Sequence, residues 1–67
     1  MNTQQLKGAL VSNGLTYQNL AEKLGISRTA FTRKINGVTQ FKQSEIKEIS
    51  KILKLNDLEI MQIFFAN

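Results

Sequence analysis

Between two glycines the chain reads GISRTAFTRKING, and four side chains inside it recur at helical spacing: Arg28, Thr29, Thr32 and Arg33. Positions i, i+1, i+4 and i+5 lie towards one side of an α-helix. Their chemistry is cationic and hydrogen-bonding, with no acid among them. A guanidinium can span O6 and N7 of a guanine, and a threonine can offer thymine a hydroxyl or a methyl. Other chemistries lack their parts. The 67 residues hold no histidine and no cysteine, which removes imidazole acid–base catalysis and thiolate nucleophiles or ligands. Glu45 and Glu48 share a stretch with Lys51 and read as a solvated charged face, while Asp57 and Glu59 are acids suited to a helix start. No metal-ligand cluster and no phosphate-cradling glycine loop is present. The chain reads as not an enzyme, with no cofactor.

The net charge of +4 is unevenly placed. Residues 1–43 hold Lys7, Lys23, Arg28, Arg33, Lys34 and Lys42 against Glu22 alone. Residues 44–67 hold Lys47, Lys51 and Lys54 against Glu45, Glu48, Asp57 and Glu59. Between Lys23 and Lys42 there is no acid at all. A one-signed segment within a folded domain suggests a polyanionic partner, nucleic acid first and anionic membrane second. The plain alternative is a solvated basic face.

The length implies one domain over 1–67, and a chain of this size buries only about 60% of the surface it exposes when unfolded. With 42% apolar and 21% charged residues it still has the means to fold. No stretch alternates apolar and polar residues as a strand would, whereas helical punctuation is dense. The first helix is predicted over about Thr3 to Asn13, with Leu6, Ala9 and Leu10 inward and Gly14 as its stop. Gly8 inside it reads as a close-packing position. A second helix follows the N-cap Thr16, turns Leu20, Ala21 and Leu24 inward, and ends at Gly25. A third follows Ser27 and runs to about Asn36, with Gly37 as its stop. A fourth spans about Lys42 to Lys54 on Ile46, Ile49 and Leu53. Asn56 with Glu59 resembles a capping box that opens a fifth, Asp57 to Phe65. The expected fold is a compact all-α bundle of five helices.

With Phe31 at zero and 100° per residue, Ile35 falls near 40° and Ser27 near 320°, which marks the buried side of the third helix. Thr29, Asn36 and Arg33 fall between about 140° and about 200°, opposite it, with Thr32 and Arg28 on one flank. The solvent face therefore presents Arg, Thr, Thr, Arg and Asn. Helices two and three are joined by the tight turn LGIS, the spacing of a helix-turn-helix.

At this point LTYQNLAEKLGISRTAFTRKING resembles the helix-turn-helix of the phage-repressor and Cro-type DNA-binding family, the xenobiotic-response-element family of bacterial and phage regulators. The family's pattern is carried by Thr16, Leu20, Ala21, Gly25, Ser27, Phe31, Asn36 and Gly37. The five-helix layout extends the likeness over nearly the whole chain and implies a lambda-repressor-like bundle. By that resemblance Arg28, Thr29, Thr32 and Arg33 read bases in the major groove. Tyr17, with Gln18 beside it, contacts phosphate at the start of the second helix, and the loop from Asn36 to Gln40 lies along the DNA backbone. Charge alone adds Lys34 and Lys42 as phosphate partners. The sequence departs from the pattern in three places. Tyr17 stands where glutamine is usual and could instead pack half-buried on the third helix. Lys34 and Ile35 reverse a common apolar-then-polar order, and Val38 replaces a frequent basic residue.

The segment LEIMQIFFAN is apolar almost all round. Leu58, Met61 and Phe65 share one side, and Ile60, Ile63 and Phe64 the other. One side suffices for a small core, so Ile60, Ile63 and Phe64 are expected to cover a partner's surface, or else to deepen a monomer core. In the family this part commonly supplies a homodimer contact. A two-fold dimer would read an inverted repeat with half-sites about 34 Å apart. The function implied is a sequence-specific double-stranded DNA-binding regulator, most simply a Cro-type repressor that occupies an operator. The alternative is a small phage or mobile-element modulator that binds another regulatory protein through its apolar C-terminal helix. No apolar run nears the roughly 18 residues of a membrane span, and MNTQQLKGAL has no signal-peptide core. The expected location is the cytoplasm of a bacterial host cell, away from any membrane.

Overall fold

Side chains that close the backbone at helix starts set the architecture. Thr16 Oγ1 accepts the Asn19 N–H at 3.1 Å while Asn19 Oδ1 accepts the Thr16 N–H at 3.0 Å. Ser27 Oγ accepts the Ala30 N–H at 3.0 Å, and Asn56 and Glu59 close a reciprocal box at 2.8 and 3.0 Å. Each satisfies N–H groups that have no partner within the helix. The resulting computed structural model, which describes residues 1–65, has five helices in the order α1 (Thr3–Ser12), α2 (Tyr17–Leu24), α3 (Arg28–Ile35), α4 (Gln43–Leu53) and α5 (Asp57–Ile60). The last continues as a π-helical turn over Met61–Phe65. Among the described residues there is no strand, and the fold is an all-α helical bundle.

The turn between α2 and α3 depends on Gly25, which adopts φ +73° and leaves the α2 axis without a Cβ penalty. At the end of α4 the same left-handed conformation is taken by Lys54, at φ 56°, where glycine would be the unstrained choice.

Every helix contributes to one core, α5 through its π-helical continuation. Leu6, Leu10, Leu20, Ala21, Phe31, Ile49, Leu53 and Ile63 are buried, with Ala9, Leu24 and Ile35 packed on their edge. Through this cluster runs a row of rings. Tyr17 lies 5.5 Å from Phe31, Phe31 lies 5.8 Å from Phe41, and Phe41 lies 5.7 Å from Phe64, all tilted or edge-on. Such contacts add to the area they bury. The start of α1 meets the π-helical turn. The Asn2 N–H donates to the Ile63 carbonyl at 2.8 Å, and Gln5 Nε2 donates to Gln62 Oε1 at 2.8 Å. No helix among the described residues is long and apolar enough to cross a membrane.

Two expectations are corrected here. Gly8 does not mark a close approach, because a Cβ built on it would meet nothing within 4 Å. Gly8→Ala is therefore expected to gain about 1 kcal/mol of helix propensity and to raise the melting temperature by about 4–8 °C. An unchanged or lower midpoint in a thermal melt would restore the packing role.

The second correction concerns the apolar C-terminal segment. Ile63 is fully buried, Ile60 is half-buried, and Phe64 is half-buried with its ring on Phe41. The side assigned to a partner is thus the side that completes the core. Leu58, Met61 and Phe65 are the ones left in solvent, at 65%, 57% and 56% exposure. The physical reason is the aromatic row, which only the Ile63–Phe64 side can extend.

Candidate nucleic-acid interface

The candidate site is built on α3, an eight-residue helix too short to persist alone. Phe31 anchors it. The ring is wholly buried between Tyr17 of α2 and Phe41 of the following loop, and this fixes the rotation of α3 about its axis. With that side fixed inward, Arg28, Thr29, Thr32 and Arg33 are all exposed. Among the described residues, the side chains of Thr29, Thr32 and Arg33 make no hydrogen bond or ion pair, so their polar atoms are available to a ligand. Asn36 caps the helix end, its N–H on the Thr32 carbonyl at 2.9 Å, and its side chain is exposed.

Arg28 sits apart from the other three in one respect. Its guanidinium carbon stands 5.8 Å from the centroid of the Tyr17 ring, a cation–π contact joining the first turn of α3 to the first turn of α2. Tyr17 is half-buried and packs on Phe31, so the aromatic packing read as its alternative is the arrangement found. Next to it, Gln18 is exposed but shares its side-chain amide with Glu22 at 3.3 Å. Gln40 and Lys42 are exposed in the loop and at the start of α4.

Lys34 departs from expectation. Its ammonium is not free for a phosphate: it lies 3.0 Å from Glu45 Oε1, donates to the Gln40 carbonyl at 3.1 Å, and stands 5.8 Å from the centre of the Phe41 ring. The two side chains are only 11% and 12% exposed. Glu45, read from the sequence as part of a solvated face, is accordingly a half-buried ion-pair partner. Burial opposes its ionisation, but the Lys42 backbone N–H and the Lys34 ammonium outweigh it and hold the carboxyl below its ordinary pKa. Part of this is encoded locally. Glu45 occupies the third position of α4, where a carboxylate caps the helix start, and it accepts the Lys42 N–H at 2.7 Å. The link back to Lys34 is a tertiary contact that no local spacing encodes.

Set against known proteins, the chain matches over residues 1–67 the family described as Protein of unknown function (DUF739). The chain belongs to this family. No curated protein and no solved structure matches it. The candidate surface of this DUF739 chain is a helix pinned by a buried ring, facing solvent with two arginines, two threonines and an asparagine, and bordered by a loop without acids.

Proposed function

We propose that this chain binds double-stranded DNA in a sequence-specific way, with α3 in the major groove, and acts as a Cro-type repressor by occupying an operator. The observation that carries the reading is the outer face of α3: Thr29, Thr32 and Arg33 exposed, without partners among the described residues, on a helix whose opposite side is locked by Phe31. Side chains of this kind suit base edges, and the acid-free run from Lys23 to Lys42 suits the phosphates beside them. The short turn at Gly25 supports the same reading, because it sets α3 at the surface with α2 behind it. With the helix in the groove, Arg28 on its Tyr17 platform reaches the first bases, while Gln18, Asn36, Gln40 and Lys42 border the backbone. Catalysis forms no part of the proposal, since the sequence offers neither histidine nor cysteine.

The experiment is an NMR titration of amide shifts with a short random-sequence duplex at low salt. The proposal expects shifts concentrated in α3, the Asn36–Gln40 loop and the first turn of α2. Shifts confined to α5, or none at all, would remove α3 as the contact.

A second surface favours a partner protein. Leu58, Met61 and Phe65 form an exposed apolar side on the C-terminal segment. On the main reading a second copy of this chain covers it and pairs two α3 helices on an inverted repeat. On the alternative reading another regulatory protein does so, and the chain is a phage or mobile-element modulator. Met61→Lys is expected to stay folded, within about 0.5 kcal/mol of the parent, because the side chain is in solvent. It should also abolish self-association in a sedimentation run. Ile63→Asp should unfold the chain, and a folded, monomeric Ile63→Asp protein would return that residue to the interface.

A further inference from the structure

Several bonds converge on the segment that joins α3 to α4. The Lys34 ammonium reaches both Glu45 and the Gln40 carbonyl, and the same Glu45 oxygen accepts the Lys42 N–H. Inside that bracket, the Val38 and Thr39 N–H groups both turn back to the Arg33 carbonyl at 2.9 and 3.4 Å. Residues Asn36 to Gln40 are themselves exposed. Their shape therefore rests on the two ends, and the ion pair closes the far one. An exposed pair of this kind would contribute little, but this one is nearly shielded from water and carries further hydrogen bonds to backbone. Glu45 is also the first acid in the chain after the cationic run that ends at Lys42.

We propose that Lys34 and Glu45 are positioning residues, whose ion pair holds the Asn36–Gln40 loop in the shape in which it runs along a DNA backbone and cancels the first acid that follows the cationic run. The inference rests on the DNA-binding reading above. Lys34 acts through the loop and not by touching phosphate itself.

A direct phosphate role and a positioning role differ in sign. If Lys34 bound phosphate, Lys34→Met would weaken binding, whereas Glu45→Gln, which deletes a negative charge beside the DNA, would tighten it. A latch requires both substitutions to weaken it, since backbone contacts set the register in which bases are read.

The test combines two readouts on the full chain and on Lys34→Met, Glu45→Gln and the conservative Lys34→Arg. The first is hydrogen exchange at the Val38 and Thr39 amides, with the core amides of Leu20 and Ile49 as the internal standard. Protection of the loop amides should fall about tenfold or more in Lys34→Met and Glu45→Gln, hold in Lys34→Arg, and leave the core amides unchanged. The second is the affinity for a duplex enriched by the parent chain from a random pool, relative to a random-sequence duplex of equal length. That ratio should fall about tenfold in both of the first two variants and return in Lys34→Arg. Unchanged loop protection in both variants would overturn the latch whether or not the chain binds DNA. Lost protection with an unchanged ratio, or tighter binding by Glu45→Gln, would overturn the positioning role. Failure of the parent to enrich any duplex would instead overturn the DNA-binding reading, and the exchange result would still decide whether the pair holds the loop.

Discussion

Phe31→Ala is expected to cost about 3–5 kcal/mol and to leave little folded protein at 25 °C. The ring is fully buried, and its neighbours on either side are the rings of Tyr17 and Phe41. Removing it opens a cavity at the middle of the aromatic row and frees α3 to rotate. A domain of this length has a total stability of only about 3–10 kcal/mol, so the loss approaches the whole. Phe31→Leu keeps most of the volume and should lose less, about 1–2 kcal/mol. Thermal melts followed by far-UV circular dichroism check both. An alanine variant that melts within about 1 kcal/mol of the parent would mean that α3 is not anchored by this ring, and the rotation assigned to its outer face would lose its basis.

Arg33→Ala should have the opposite profile, with folding intact and binding impaired. The side chain is exposed and makes no hydrogen bond or ion pair among the described residues, so the melting temperature should hold. Affinity for an enriched duplex should fall by about 1–3 kcal/mol, with discrimination relaxed at one base pair per half-site. Titrations against single-base variants of that duplex make the distinction. Equal weakening on every sequence would make Arg33 a phosphate contact and remove it from base reading.

The two substitutions bear on different links, and the sequence was legible to different depths along them. Helix starts could be read because Thr16, Ser27 and Asn56 are residues that close a helix N-terminus with their own side chains, and each does so here. The inward side of α3 could be read because its two large apolar residues, Phe31 and Ile35, share one side opposite a run of polar ones. In the C-terminal segment the same method had little to work with. Leu58, Ile60, Met61, Ile63, Phe64 and Phe65 give two apolar sides, with only the narrow polar strip of Glu59 and Gln62 between them. The choice between them is made by contacts distant in sequence: the Phe41 ring against Phe64 and the Asn2 N–H on the Ile63 carbonyl. The π-helical turn, which advances side chains by less than 100° per residue, blurs the pattern further.

The partners of Lys34 escape a local reading for a related reason. A lysine in a cationic run looks like one more phosphate ligand. Whether it is open to solvent or paired depends on a carboxylate eleven positions later, brought back by the loop and by α4. Gly8 shows a third limit. A glycine within a helix signals either close approach or tolerated weakness, and only the open space beside it decides for weakness.

Sequence reading by α3 is the central proposal. The most direct measurement is selection from a random pool of duplex DNA, with the winners titrated against salt. The expected result is an enriched inverted repeat with half-sites about one helical turn apart, bound more tightly than random DNA at every salt concentration. A steep salt dependence with no enriched sequence would leave only the attraction that any basic surface has for phosphate, and would contradict it.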